Sequence, residues 1–209
     1  RTLAGLIARA ASAPGSEVAI GGIDNLLSSE PVVRDVTIAD DAGVWLRLDQ
    51  ATMRWRQRAL LRGAVDIEAL DAGAVEILRK PLTPPEAQPD KRSLFEMAQA
   101  ALAWRPPLPV RVGALAVRRI DLAKPVLDAP AAIAIEGNAD LGATGASARA
   151  ALAIKRLDAP GTIAATIDVA ADGQRIALSV DASEPAGGLV ARLASLPNLP
   201  PVEVHLKGD

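Results

Sequence analysis

The chain has 209 residues, half of them hydrophobic but only 2% aromatic, with one Phe, no Tyr and no Cys. A formal net charge of −2 and this apolar fraction exclude the apolar-poor, highly charged composition of a disordered chain. They also exclude a disulfide framework or Cys-ligated metal, and they lack the basic, aromatic-bearing footprint that holds nucleic acid.

In chain order, the first element is a short amphipathic helix at about 2–12, with Leu3, Leu6, Ile7 and Ala10 on one face. Period-two alternation follows, the mark of half-buried strands. Val44, Leu46 and Leu48 alternate with Trp45, Arg47 and Asp49 after an Asp40-Asp41-Ala42-Gly43 turn signal. Val65 and Ile67 flank Asp66, and Val75 and Ile77 flank Glu76, with Asp71-Ala72-Gly73 reading as a turn between them. Residues 82–92 are a polar, Pro-containing linker. A second helix at about 93–104 opens on a Ser93/Glu96 capping box and stops before Pro106-Pro107. Beyond the Ala159-Pro160-Gly161 turn, Ile163, Ala165, Ile167 and Val169 alternate with smaller or polar residues. After Asp172-Gly173, so do Ile176, Leu178 and Val180. A third helix at about 187–196 precedes a last alternating run, Val202, Val204 and Leu206.

About ten strands on short links favour antiparallel meanders over βαβ crossovers. The helices recur about ninety residues apart, so the chain reads as a weak internal repeat. Residues 1–81 are a helix plus β-meander unit, and 93–209 are a second such unit running into the start of a third.

Searches for chemistry find little. The single His205 lies on the polar face of an end strand and reads as a solvated residue, since no carboxylates are spaced to share a metal with it. Gly145-Ala146-Ser147-Ala148-Arg149 fails the nucleophile-elbow pattern at its last position. Asp66 and Glu68 share one strand face, where outward carboxylates are far commoner than an acid/base pair. The reading is of a non-enzyme without cofactor or metal.

The inward strand faces are almost purely aliphatic. They fit either a thin, Ala-packed core or a curved sheet whose apolar face lines a groove; periodicity alone favours the core. Val44, Leu46, Leu48, Val65, Ile67, Val75, Ile77, Ile163, Ile167, Ile176, Leu178 and Val180 are the candidate lining. Hydrophobicity alone assigns these faces, so a bulge would flip part of a strand. A basic cluster, Arg54, Arg56, Arg58 and Arg62 around Trp55, reads as the polar face of a strand entering a turn, or as a rim for anionic headgroups.

Residues 31–81 resemble the N-terminal part of the TamB family. The features are the Asp40-x-x-Gly43 turn, Trp45-Leu46, Trp55, Leu60-Leu61-x-Gly63, Val65, Ile67, Leu70, Ala72, Val75, Ile77, Arg79 and Pro81. Residues 187–208 resemble a recurring segment of the same family, with Leu196-Pro197-Asn198-Leu199-Pro200-Pro201 before an alternating strand. The resemblance implies a mainly β fold of meanders forming a curved, taco-like β-groove. It implies a periplasmic protein tethered to the inner membrane by an anchor upstream of Arg1, since no run here reaches the eighteen or so apolar residues of a span. The implied function is shielding of acyl chains for phospholipid transport between the two membranes, supporting outer-membrane biogenesis. An outer-membrane barrel partner, TamA-like, would be met through a region absent here. The alternative is a scaffold for outer-membrane protein assembly acting through strand edges.

Overall fold

The computed structural model describes residues 16–82, 108–127, 129–143, 147–171, 175–186, 188 and 201–208. The helices expected at 2–12 and 93–104 lie outside the described residues, as do that at 187–196 (apart from Gly188), most of the 82–92 linker and Asp172-Gly173.

Ten strands form one sheet in chain order. They are β1 (Glu17–Asp24), β2 (Val32–Asp40), β3 (Gly43–Trp55), β4 (Val65–Ile77) and β5 (Val110–Leu122), then β6 (Ala131–Leu141), β7 (Ala148–Arg156), β8 (Thr162–Val169), β9 (Ile176–Glu184) and β10 (Val202–Gly208). β1 and β10 lie at opposite edges, so the sheet does not close into a barrel. The mainly β architecture follows from the alternation: each strand presents one aliphatic and one polar face.

Two features depart from the sequence expectation. Neighbouring strands are antiparallel except β4 and β5, which pair in parallel from Val65↔Val110 to Ile77↔Leu122. Parallel neighbours need a crossover, and it falls between Ile77 and Val110. This pair makes 16–77 and 110–208 parts of a single sheet. Asp71-Ala72-Gly73 is not a turn but the middle of the 13-residue β4. Its neighbours on both sides supply a full ladder there, which overrides the local turn chemistry.

The β2–β3 turn is built as the sequence dictates. The Asp40 carboxylate accepts the Ala42 N–H at 2.9 Å, and Gly43 takes φ +102°, a conformation strained for any residue with a Cβ. Arg79, just past β4, clamps this turn: it pairs with Asp40 and donates to the Gly43 carbonyl at 2.5 Å. The Leu82 N–H adds a 2.8 Å bond to the same carboxylate. The Arg79 hydrogen bond, helped by the backbone donors, holds the Asp40 carboxyl well below the usual carboxylate range.

The best-packed region sits at β4–β6. Ile120, Ala131 and Ile133 are buried with Leu127 from the helical turn Lys124–Leu127, and Val75, Ile77, Val117, Ile135 and Ile154 pack around them. Among the described residues no large side chain falls below 2% exposure. Among the described residues this is the packing of one layer, without the second layer that seals a two-layer core.

Candidate functional site

Directly opposed residues of neighbouring strands share a face, so the register traces rows of side chains across the sheet. One row crosses all ten strands: Ile23, Val33, Ala51, Ala72, Val117, Ile135, Ile154, Ile163, Ala182 and Val204. Every member is aliphatic. The next row runs Met53, Leu70, Leu115, Gly137, Leu152, Ala165, Val180 and Leu206. Beyond it lie Trp55, Ile67, Val112, Ala139, Ala150, Ile167 and Leu178, then Val65, Val110, Leu141, Ala148, Val169 and Ile176. On the other side, Ile20, Val36, Leu48, Val75, Ile120 and Ile133 form a fifth apolar row. At ~4.8 Å per strand this face is about 45 Å across. The opposite face carries Asp71, Glu136, Asp181 and His205 in one row.

Keeping one face apolar requires the pleat to slip. In β4 the apolar positions step from Ile67 to Leu70 and from Ala72 to Val75, three residues at a time. β5 repeats this from Val112 to Leu115 and from Val117 to Ile120, where its register with β6 shifts. β6 itself does not slip, so Val117 and Ile120, opposite Ile135 and Ile133, lie on the same face. At four such steps the two intervening residues are both exposed, the pairs Gly113-Ala114, Arg118-Arg119, Asp49-Gln50 and Arg34-Asp35, whereas in β4 Ala69 is buried. Asp35 takes φ +52°, the single-residue twist by which a bulged strand re-aims its side chains. Close backbone approach at these slips needs small residues. A Cβ on Gly113 would lie 2.8 Å from the Glu68 carbonyl oxygen, and one on Gly21 only 2.7 Å from the Asp35 Cβ.

Leu46, Leu48, Val65, Ile67, Val75, Ile77, Ile163, Ile167, Ile176, Leu178 and Val180 all fall on the apolar face, with Val44 one pleat beyond Leu46. Sequence reasoning missed β1, β5, β6 and β7, which supply Val18, Ile20, Val110, Val112, Leu115, Val117, Ile120, Ile133, Ile135 and Ile154. The signal that would find them is alternation allowing one three-residue step.

The two ends of the face differ. At the β7–β8 end it terminates in charge. Arg156, opposite Ile133, and Glu184, one pleat beyond Ala182, are both buried. Arg156 donates to Asp158 at 2.6 and 3.1 Å. That bond raises the guanidinium above its ordinary range and lowers the Asp158 carboxyl. Gly161 and Gly188 fold over these side chains; a Cβ on Gly188 would lie 2.8 Å from that of Glu184.

At the other end stands the basic cluster. Arg56 is spent on Glu68 at 2.6 Å and Asp66 at 3.1 Å, which ties up both carboxylates once considered as an acid/base pair. The Trp55 indole N–H donates to the Ser28 carbonyl at 3.2 Å. Arg54, Arg58 and Arg62 have no ion-pair partner among the described residues. His205 is exposed on the polar face, its Nδ1 2.7 Å from Asp181. Among the described residues no cluster of His and carboxylates is arranged to hold a metal, and no helix is long and apolar enough to cross a membrane.

No family model, curated protein or solved structure gives a significant match to this chain.

Proposed function

We propose that this chain is a lipid-shielding segment of a TamB-like periplasmic protein, in which the apolar face is the inner wall of a curved, taco-like groove that accommodates phospholipid acyl chains. The observation that supports this reading is one aliphatic face shared by ten strands of a single layer, with Leu152, Val204 and Leu206 on it still 38–53% exposed. An aliphatic wall suits an acyl chain, which asks for no polar partner, and sixteen methylenes kept from water are worth roughly 13 kcal/mol at ~0.8 each. The near absence of aromatics fits that cargo better than sugars or nucleobases, which stack on rings. In this reading the protein guides lipid passively between the inner and outer membranes from an upstream inner-membrane tether, and it has no catalytic residue.

The test is native mass spectrometry of the purified chain together with displacement of a fluorescent fatty acid. Phospholipid adducts and saturable fatty-acid binding, abolished by Leu178→Asp with Leu115→Asp, are the expected result. Recovery of no lipid, with crosslinks to peptides along β1 or β10 alone, would replace it with the strand-edge scaffold reading.

A further inference from the structure

The Trp55 end of the sheet carries exposed leucines that no packing argument explains. Leu27 in the β1–β2 loop is 89% exposed, and Leu61 in the 3-10 turn Gln57–Arg62 is 88% exposed. The two loops are fastened side by side. The Gln57 amide donates to the Leu27 carbonyl at 2.9 Å, and the Trp55 indole N–H reaches Ser28 from the same region. Leu60 and Leu108 are also exposed, and Leu108 precedes Pro109, whose carbonyl accepts the Val65 N–H at 2.8 Å. Four leucines are thus presented to solvent at one corner. Clustered leucines held in water on a fixed turn forgo the favourable free energy of burial that an apolar surface receiving them would supply.

Charge completes the pattern. Arg58 and Arg62 belong to the leucine-bearing turn, and Arg54 lies on the strand leading into it. All three are exposed and lack ion-pair partners among the described residues, while Glu30 is the one exposed acid of the adjoining loop outside the Arg56 network. Gly63 at φ +67° ends the turn and fixes its shape.

We infer that this corner docks on the surface of an anionic phospholipid bilayer, with Leu27, Leu60 and Leu61 entering the headgroup–acyl boundary and Arg58 and Arg62 meeting lipid phosphates. Apolar tips within a basic rim are what such an interface binds. The inference rests on the groove reading for its consequence, that the end of the apolar face away from Arg156 and Glu184 is the one set against a membrane. The docking surface itself is separate from the groove wall.

The experiment is flotation of the full 209-residue chain with phosphatidylglycerol–phosphatidylcholine vesicles and with phosphatidylcholine vesicles alone. The expected result is binding to the anionic vesicles that weakens with added salt. Arg58→Gln with Arg62→Gln lowers the apparent affinity about tenfold or more, as does Leu27→Ser with Leu61→Ser. These exposed positions leave the circular dichroism spectrum unchanged. Leu152→Ser, on the groove wall, leaves vesicle binding intact. Absence of vesicle binding, or binding unchanged in both loop variants, overturns the inference. So does a loop variant that only converts a dimer to a monomer in sedimentation. Fatty-acid binding without vesicles separates the two proposals: it persists in the loop variants if the groove reading holds, and its absence in the parent chain counts against the groove alone.

Discussion

The halves of the sheet reach one apolar face by different routes. In β6–β10 the ladders run without a register shift, and strict alternation puts every second residue on the same side. In β1–β5 the strands reach 13 residues, three of the four pairs are antiparallel and one parallel, and the pleat slips. The apolar pattern slips with it, so that Ile67, Leu70, Ala72 and Val75 stay on one face. The quantity kept constant across the sheet is therefore the continuity of the face and not the regularity of the strands. Small residues and bulges are placed where continuity would otherwise fail.

Substitutions can break this comparison. The largest effect is expected for Val117→Asp, which puts a carboxylate among Ile120, Ile133 and Ile135 and should cost about 4 kcal/mol or more in chemical denaturation. Next, Ile120→Ala in β5 should cost about 2–4 kcal/mol and Ile167→Ala in β8 about 1 kcal/mol, because Ile120 is 9% exposed whereas Ile167 is only half-buried. Equal losses would mean that the regular half is as tightly packed as the slipped half. At the slip itself, Gly21→Ala should destabilise by about 1–3 kcal/mol through the Asp35 contact. Its neighbour Gly22→Ala, with nothing within 4 Å of the new Cβ, should stay within about 0.5 kcal/mol.

A smaller effect concerns acid. The folded-state carboxyls of Asp40, Asp121 and Asp158 are lowered by their arginine partners. Their stabilisation is present above the unfolded carboxylate value of about 3.9 and is lost as pH falls through the lower folded values. Thermal melts should therefore show a steep decline below about pH 4, and Asp40→Asn should lower the melting temperature at pH 7 while flattening that decline. Smallest of all, Arg47→Gln, which removes an exposed 3.8 Å pair with Glu76, should change stability by less than about 0.5 kcal/mol.

In the regular half β8–β10 were legible in sequence, whereas the Ala-rich β6 and β7 were not. Ile163, Ile167, Ile176, Leu178 and Val180 alternate plainly, and the Asp40–Gly43 turn announces itself through an Asp side chain and a Gly that accepts positive φ. The slipped half was less legible for a physical reason. Asp-Ala-Gly inside β4 has the composition of a turn, and only two flanking strands hold it extended. The β4–β5 pairing depends on a partner more than thirty residues away, and no local pattern distinguishes a parallel neighbour from an antiparallel one. The charged terminus was hidden too: Arg156 and Glu184 look solvated in sequence but are buried, with Gly161 and Gly188 packed against them.

The central claim, that one apolar face receives acyl chains, is tested most directly by photocrosslinking from paired positions on opposite faces. A photoreactive side chain at Leu115, Leu152 or Leu178 should capture a phospholipid, whereas one at Ala116, Ala151 or Ala177, each one residue away on the polar face, should not. Lipid capture from both sets, or from neither while the protein remains folded, would contradict it.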